Sequence, residues 1–370
     1  MSLVKMPSTR LYWSKEFYFE KVAGTMPVNR FEKIKKFLHC SDNLTRPKNC
    51  TDRLYKIRPL VDHLQKQFSN LKPSELLCID EQIVPFKGKS GFKQYNPKKP
   101  KKWGYKLYVL SGIDGLIYNF QVHTGAIDVC LNQPNLKASG NIVLTLLQHI
   151  PRNKWYKLFC DNWYTGVDLF KTLHDQGIGC LGTVRVNYLS KVKMTSDQVM
   201  RKNGRGSVEL WTTTYDGVEL RAIKWFDNRG VTLLSTYESV NPVSNVSRFD
   251  RKANKRVNVV CPFIVTTYNM FMGGVDLLDG FLSLHRISIR SKKWYHKLLF
   301  HFFDMVVVQS WILYRRQNEG NTLKLREFKM NIADCLIRKA KATTNKRPNS
   351  SNIEKEFMEK KSVVLQPHYQ

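Results

Sequence analysis

Between residues 76 and 186 the apolar residues change rhythm several times, and this alternation limits the possible folds more than any other feature of the chain. Leu76-Leu77-Cys78-Ile79-Asp80 is a short apolar run closed by a carboxylate, the pattern of a buried strand. Residues 105–110 and 116–122 flank Asp114-Gly115, a hairpin signal. A helical pattern covers 140–150. Lys157-Leu158-Phe159-Cys160 then gives a second buried strand, again followed by an acid, Asp161. Thr165-Gly166-Val167-Asp168 reads as a capping box opening a helix that stops at Gly177, and 178–186 reads as a further strand. The order β-β-β-α-β-α-β, a meander followed by alternating units, predicts one mixed sheet with helices on its faces, an α/β fold.

The flanks follow other rhythms. In 30–38, Phe31, Ile34, Phe37 and Leu38 share one helical stripe, and 55–68 gives a second helix with Leu60, Val61, Leu64 and Phe68 inward. Residues 187–258 break into short β-type pieces (207–214, 218–225, 231–238) and predict a β-rich insertion. After Gly273-Gly274 the chain reads as helical to about 341, then polar and loose over 342–370. The apolar stretch 298–314 is cut by His301, Asp304, Gln309 and Ser310, so it predicts a buried helix and not a membrane span. The expected parts are a helical segment 1–76, a core in two pieces (77–186 and 259–285) around the insertion 187–258, a second helical segment 286–341, and a tail.

Charge narrows the function. The 370 residues carry 60 Lys and Arg against 30 Asp and Glu, a formal +30, which favours a polyanionic partner because each neutralised phosphate releases counterions. No basic amphipathic helix concentrates that charge for a membrane, so nucleic acid is the expected partner. A 42% hydrophobic content excludes wholesale disorder. The first thirty residues hold no apolar signal core. The eight cysteines never lie closer than ten residues apart, so no CxxC zinc pair exists and a reducing, intracellular compartment is expected. No phosphate-binding loop, GxGxxG or HExxH is present, which disfavours a nucleotide-driven motor and a zinc peptidase.

Three acids have settings suited to chemistry. Asp80 and Asp161 are expected to end short buried strands, and Asp276 follows Gly273-Gly274-Val275 at the start of a helix, where the dipole favours negative charge. Carboxylate oxygens suit hard cations such as Mg²⁺, and a metal pair can clamp the attacking and leaving oxygens of a phosphodiester. An Asp at a strand end also serves as an ordinary turn former. Basic patches lie nearby in sequence. Lys98, Lys99, Lys101 and Lys102 precede Trp103 and Tyr105, either gripping phosphates with Trp103 stacked on a base or forming a solvated loop. Arg290, Lys292 and Lys293 precede Trp294, which either meets DNA or packs its helix into the core. Residues 248–256 read as a basic loop, and 338–347 as a frayed helix end or a nuclear localisation patch.

Cys78-Ile79-Asp80-Glu81-Gln82, Cys160-Asp161-Asn162-Trp163-Tyr164-Thr165 and Gly273-Gly274-Val275-Asp276-Leu277-Leu278-Asp279 resemble, in order, the three catalytic blocks of piggyBac-type transposases. Supporting matches are Asn29-Arg30-Phe31-Glu32, Phe37-Leu38-His39-Cys40-Ser41-Asp42-Asn43 and Gly182-Thr183-Val184-Arg185. The resemblance implies an RNase H-like catalytic core with Asp80, Asp161 and Asp276 as a metal-binding triad and Asp279 as a further carboxylate. It implies two Mg²⁺ (or Mn²⁺) ions, double-stranded DNA with transposon ends and a TTAA target, and a nuclear protein. It also implies a homodimer in which segments 1–76 and 286–341 form a shared dimerisation and DNA-binding domain. By position Trp294 resembles a family tryptophan near the transferred strand. Beyond Cys335 there is no cysteine, unlike the family's cysteine-rich C-terminal domain, so no structural zinc is expected. The alternative expectation is a domesticated DNA-binding protein that keeps the fold without cutting.

Overall fold

A computed structural model describes residues 1–344 except Lys98, Pro100, Ser190, Lys191, Lys252 and Glu319. The alternating region builds one nine-stranded mixed sheet. Its centre is β1 (Leu76–Pro85), antiparallel to β3 (Trp103–Gly112) from Leu77↔Gly112 to Pro85↔Gly104. On its other edge β1 runs parallel to β5 (Tyr156–Cys160), from Leu76↔Lys157 to Ile79↔Cys160. The far edge of β3 is shared by β2 (Gln94–Tyr95), which pairs at its start, and β4 (Ile117–Val122), which pairs further along. β5 is parallel to β6 (Ile178–Thr183), and β6 pairs antiparallel with β9 (Gly230–Ser235). The sheet then continues through β8 (Val218–Phe226) to β7 (Val208–Tyr215). Three strands of the β-rich stretch therefore extend the main sheet.

Helices α1 (Glu20–Ala23), α2 (Val28–Phe37) and α3 (Arg58–Ser69) precede the sheet. Within it come α4 (Lys137–Leu146), α5 (Val167–Asp175) and α6 (Asp197–Lys202). After it come α7 (Phe263–Phe271), α8 (Gly274–Leu284), α9 (Trp294–Gln317) and α10 (Leu325–Thr344). The pleat assigns them to faces. Phe120 of β4 meets Phe68 of α3 and Phe302 of α9, ring centroids 6.1 and 5.4 Å away. Asn119, one residue earlier and on the opposite face, donates to Leu146 O of α4 at 3.0 Å. Two of the polar interruptions of α9 tie it to neighbouring elements. Gln309 accepts from Ile117 N at 2.6 Å and donates to Gly115 O at 3.1 Å, and Asp304 accepts from Ile287 N at 2.7 Å and pairs with Lys329. By length and composition α9 is apolar enough to cross a membrane, yet most of that stretch is buried inside the protein.

Several local expectations differ from the structure. β1 does not stop at Asp80; it runs to Pro85, because its antiparallel partner β3 continues after its parallel partner β5 has ended. Thr165 is not a helix cap. Gly166 is the N-cap of α5, with no side-chain cap, and the Thr165 hydroxyl donates to Asp161 O at 3.1 Å. In place of the basic loop expected at 248–256 stand paired strands, β10 (Val243–Asp250) with β11 (Lys255–Pro262); β10 has no buried residue, while β11 turns Val259 and Cys261 into the core. Helices α6 and α7 were not anticipated. The last residues of α10, expected in the loose tail from 342, are helical to Thr344, and 345–370, with Lys346 and Arg347 of the candidate localisation patch, lies outside the described residues.

Candidate active site

Backbone pairing brings the first two acids together. The parallel register ends at Ile79↔Cys160, so one step forward Asp80 and Asp161 stand level on neighbouring strands. Asp80 sits within β1 and Asp161 in the turn just past β5. The turn is tightly bonded. Asp161 O accepts from Tyr164 N at 3.0 Å and Thr165 N at 3.2 Å, and Asp161 Oδ1 accepts from Thr183 Oγ1 at 3.1 Å. Gly182 lacks the Cβ that would fall 2.2 Å from Thr165 Oγ1, so the turn lies directly against β6.

Helix α8 delivers the third acid by lying close on the sheet. A Cβ on Gly274 would fall 2.3 Å from Gly112 O and 2.4 Å from Cys78 Sγ, so only glycine permits this approach. Gly115, at φ +86°, packs beneath the same helix turn. Asp276 occupies the first turn of α8 and is exposed; Asp279 lies one turn on, partly buried, with Oδ1 accepting from Gln82 Nε2 at 2.7 Å. Burial pushes the Asp80 carboxyl up to about 6, with Asp276 and Asp161 adding like-charge repulsion against the Glu81 amide and Lys99. Burial also raises Asp279, opposed by Gln82, Arg286 and Lys99.

These donors are carboxylate oxygens, all but Asp276 partly buried, and like-charge repulsion acts among them, which is chemistry that suits a hard divalent cation. As they stand the side chains are not gathered about one point. Among the described residues no group of three or more His, Cys, Asp or Glu is set to hold a metal ion.

The opposite face of β1 carries a different cluster. Glu81 forms a short ion pair with Lys106, whose ammonium lies 4.7 Å from the Tyr108 ring centroid and 4.8 Å from that of Trp163. Tyr108 and Trp163 stack at 5.5 Å and 9°. Trp163 thus anchors the turn after Asp161 from below, a role its place in the motif did not reveal.

The basic candidates divide. Lys98 lies outside the described residues. Lys99 stands near enough to the acids to stabilise ionised Asp80 and Asp279. Lys101 and Lys102 are exposed, and Trp103, also exposed, lies between Tyr95, at 4.9 Å, and the Lys93 ammonium, at 4.7 Å. Trp294 packs edge-on against Phe92 at 5.2 Å and Tyr105 at 6.3 Å, joining α9 to the sheet. Arg290 and Lys292 are exposed, while Lys293 donates to Lys36 O of α2 and lies 5.8 Å from the Tyr295 ring. The sequence assigns no role to Gln82 or Lys297, places Arg286 at the head of the basic stretch 286–295, and gives His301 only a structural one. Lys297 is half-buried between Arg286 and Lys101, and its pKa is lowered by burial and by those two cations.

A family model described as Transposase IS4 matches residues 1–311. Human piggyBac transposable element-derived protein 3 is 31% identical over 326 residues, covering 85% of this chain and 53% of that protein. Human piggyBac transposable element-derived protein 2 is 26% identical over 360 residues, covering 95% of this chain and 60% of that protein. The chain therefore spans little more than half the length of these curated relatives. A cryo-EM structure of a piggyBac transposase synaptic complex with hairpin DNA superposes with a TM-score of 0.74 at 23% identity, covering 98% of this chain and 73% of that one. That likeness is one of fold: a mixed-sheet, RNase H-like α/β core with helices about it.

Proposed function

The chain belongs to the IS4 transposase family, on its piggyBac branch, and from that premise we propose that it cleaves and transfers DNA strands at the carboxylate cluster of β1, β5 and α8. Asp80, Asp161 and Asp276 are the catalytic carboxylates of this reading and Asp279 a further metal-binding one. Together they would hold Mg²⁺ or Mn²⁺, two ions per site, which when bound activate water and neutralise charge developing at phosphorus. The observation that carries the reading is the strand register: Asp80 within β1 stands level with Asp161 just past the end of its parallel neighbour β5, and the helix bearing the third acid docks against β1.

The remaining residues have supporting roles. The sheet holds Asp80 and Asp161 on fixed backbone. Lys99 sits beside the acids, where it would meet a phosphate, and Lys98, Lys101, Lys102, Trp103, Arg290, Lys292, Lys293 and Trp294 are the proposed contacts to the flanking duplex. The proposed substrate is double-stranded DNA with transposon ends and a TTAA target. The proposed setting is the nucleus, with the protein as a homodimer joined through segments 1–76 and 286–341.

Purified protein should nick DNA bearing TTAA beside family-type terminal repeats when Mg²⁺ or Mn²⁺ is present, and Asp161→Asn should not. Nicks that survive in Asp161→Asn would overturn the assignment. The similarity to transposable element-derived proteins favours a second reading, a transposase-derived protein that binds DNA without cutting. Tight, salt-sensitive DNA binding without metal-dependent nicks would select it.

A further inference from the structure

Beneath the acid cluster lies a line of polar side chains drawn from three elements. Gln82 of β1 is fully buried, and its Nε2 donates to Asp279 Oδ1 at 2.7 Å. Its Oε1 lies 2.7 Å from Nε2 of His301 on α9, a side chain left 3% exposed. With Asp279 ionised, the bonding is consistent in one way only. A carboxylate accepts, so Gln82 turns its amide N–H toward Asp279 and its carbonyl toward His301, and the ring must carry its proton on Nε2. His301 Nδ1 is then bare, and it is buried with no partner. Burial holds the imidazole neutral, and Arg286 and Lys297 nearby act in the same direction.

Each link orients the next. The ring prevents the amide from flipping, and the amide ties back one oxygen of Asp279, leaving the other available to the cluster. Without this tether Asp279 would be free to rotate toward Arg286 or Lys99. Burying a glutamine and a histidine with an unpaired nitrogen carries a desolvation cost that an apolar pair would not. We propose that Gln82 and His301 are positioning residues that fix Asp279 to receive a divalent cation. The proposal rests on the reading of Asp279 as a metal-binding carboxylate.

The test is Mn²⁺ affinity of the metal-free full chain, without DNA, together with ¹⁵N spectra of its imidazoles. Gln82→Leu and His301→Leu should each weaken Mn²⁺ binding about 10- to 100-fold, as loss of a group that orients a ligand does. His301→Gln, which keeps an N–H facing Gln82, should recover most of the affinity; it also carries the test if either leucine variant misfolds. In an Asp279→Asn background Gln82→Leu should cost nothing further. The proposal is overturned if Gln82→Leu is folded and binds like wild type, if its loss persists in Asp279→Asn, or if His301→Gln is as weak as His301→Leu. A His301 signal showing the proton on Nδ1 overturns it independently of any metal. Wild-type protein that binds no Mn²⁺ instead sinks the reading of Asp279 itself.

Discussion

Asp80 and Glu81 are consecutive acids on one strand, both partly buried, and they have opposite surroundings. On one face Glu81 meets Lys106, which itself lies against the stacked rings of Tyr108 and Trp163. On the other face Asp80 is repelled by Asp161 and Asp276, with Lys99 acting against them, and burial drives its carboxyl up to about 6. The first arrangement is neutral in itself and fastens β1 to the turn after β5. The second accumulates negative charge that an external cation would relieve. Chain position and depth hardly distinguish the two acids; the pleat does, because it sends neighbours to opposite faces.

Exchanging the acids for amides gives the sharpest contrast. Asp80→Asn should reduce metal-dependent nicking to background, whereas Glu81→Gln should keep the rate of the folded enzyme within a few-fold. Equal losses in the two variants, measured as single-turnover nicking, would erase the functional distinction between the faces.

Stability should separate the faces next. Gly274→Ala forces a methyl group into Gly112 O and Cys78 Sγ, and backbone cannot move aside cheaply. Urea unfolding should report a loss of about 3 kcal/mol, the upper part of the range for overpacking, with nicking lost as α8 moves off the sheet. Unchanged nicking would mean that Asp276 does not depend on the close approach of α8. Glu81→Gln should cost less, about 1–2 kcal/mol, because Lys106 loses its counter-charge in a mostly buried place but keeps both aromatic faces. A variant as stable as wild type would show that the rings alone hold Lys106.

The same contrast explains what was legible in the sequence. The alternation from Leu76 onward was readable because buried strands need continuous apolar runs, and the observed mixed sheet has that order. The acids were readable because each ends or interrupts such a run. The extension of β1 past Asp80 was not, since Glu81 and Gln82 look like the start of a loop until Lys106, Asp279 and His301 supply partners from far along the chain. Strand β10 escaped for the opposite reason: none of its residues is buried, so pairing with β11 and not burial forms it. Gln82 and His301 carry no local signal, because a buried polar line is assembled only when β1, α8 and α9 meet. That placement also gives each side chain a partner no sequence window contains.

A further effect carries the contrast into pH. Asp80 titrates near 6 in the folded chain, raised above the value near 3.9 of an unfolded aspartate. Between those values the folded state binds more protons than the unfolded one, so stability falls as pH rises through that window. The stabilising protonated form is fully present below about pH 4 and gone above about pH 6 to 7. At neutral pH ionised Asp80 therefore opposes folding, and Asp80→Asn, which cannot ionise, should be more stable than wild type by roughly 1–3 kcal/mol in chelator. The gain should shrink steadily below pH 6 and vanish near pH 4. Mg²⁺ should narrow it from the other side by stabilising wild type and not the variant. Glu81→Gln should show the reverse sign at pH 7. If both variants lose stability at pH 7, with no pH-dependent gain in Asp80→Asn, the acids of the two faces are both paired for structure and the cluster of carboxylates is not held in repulsion.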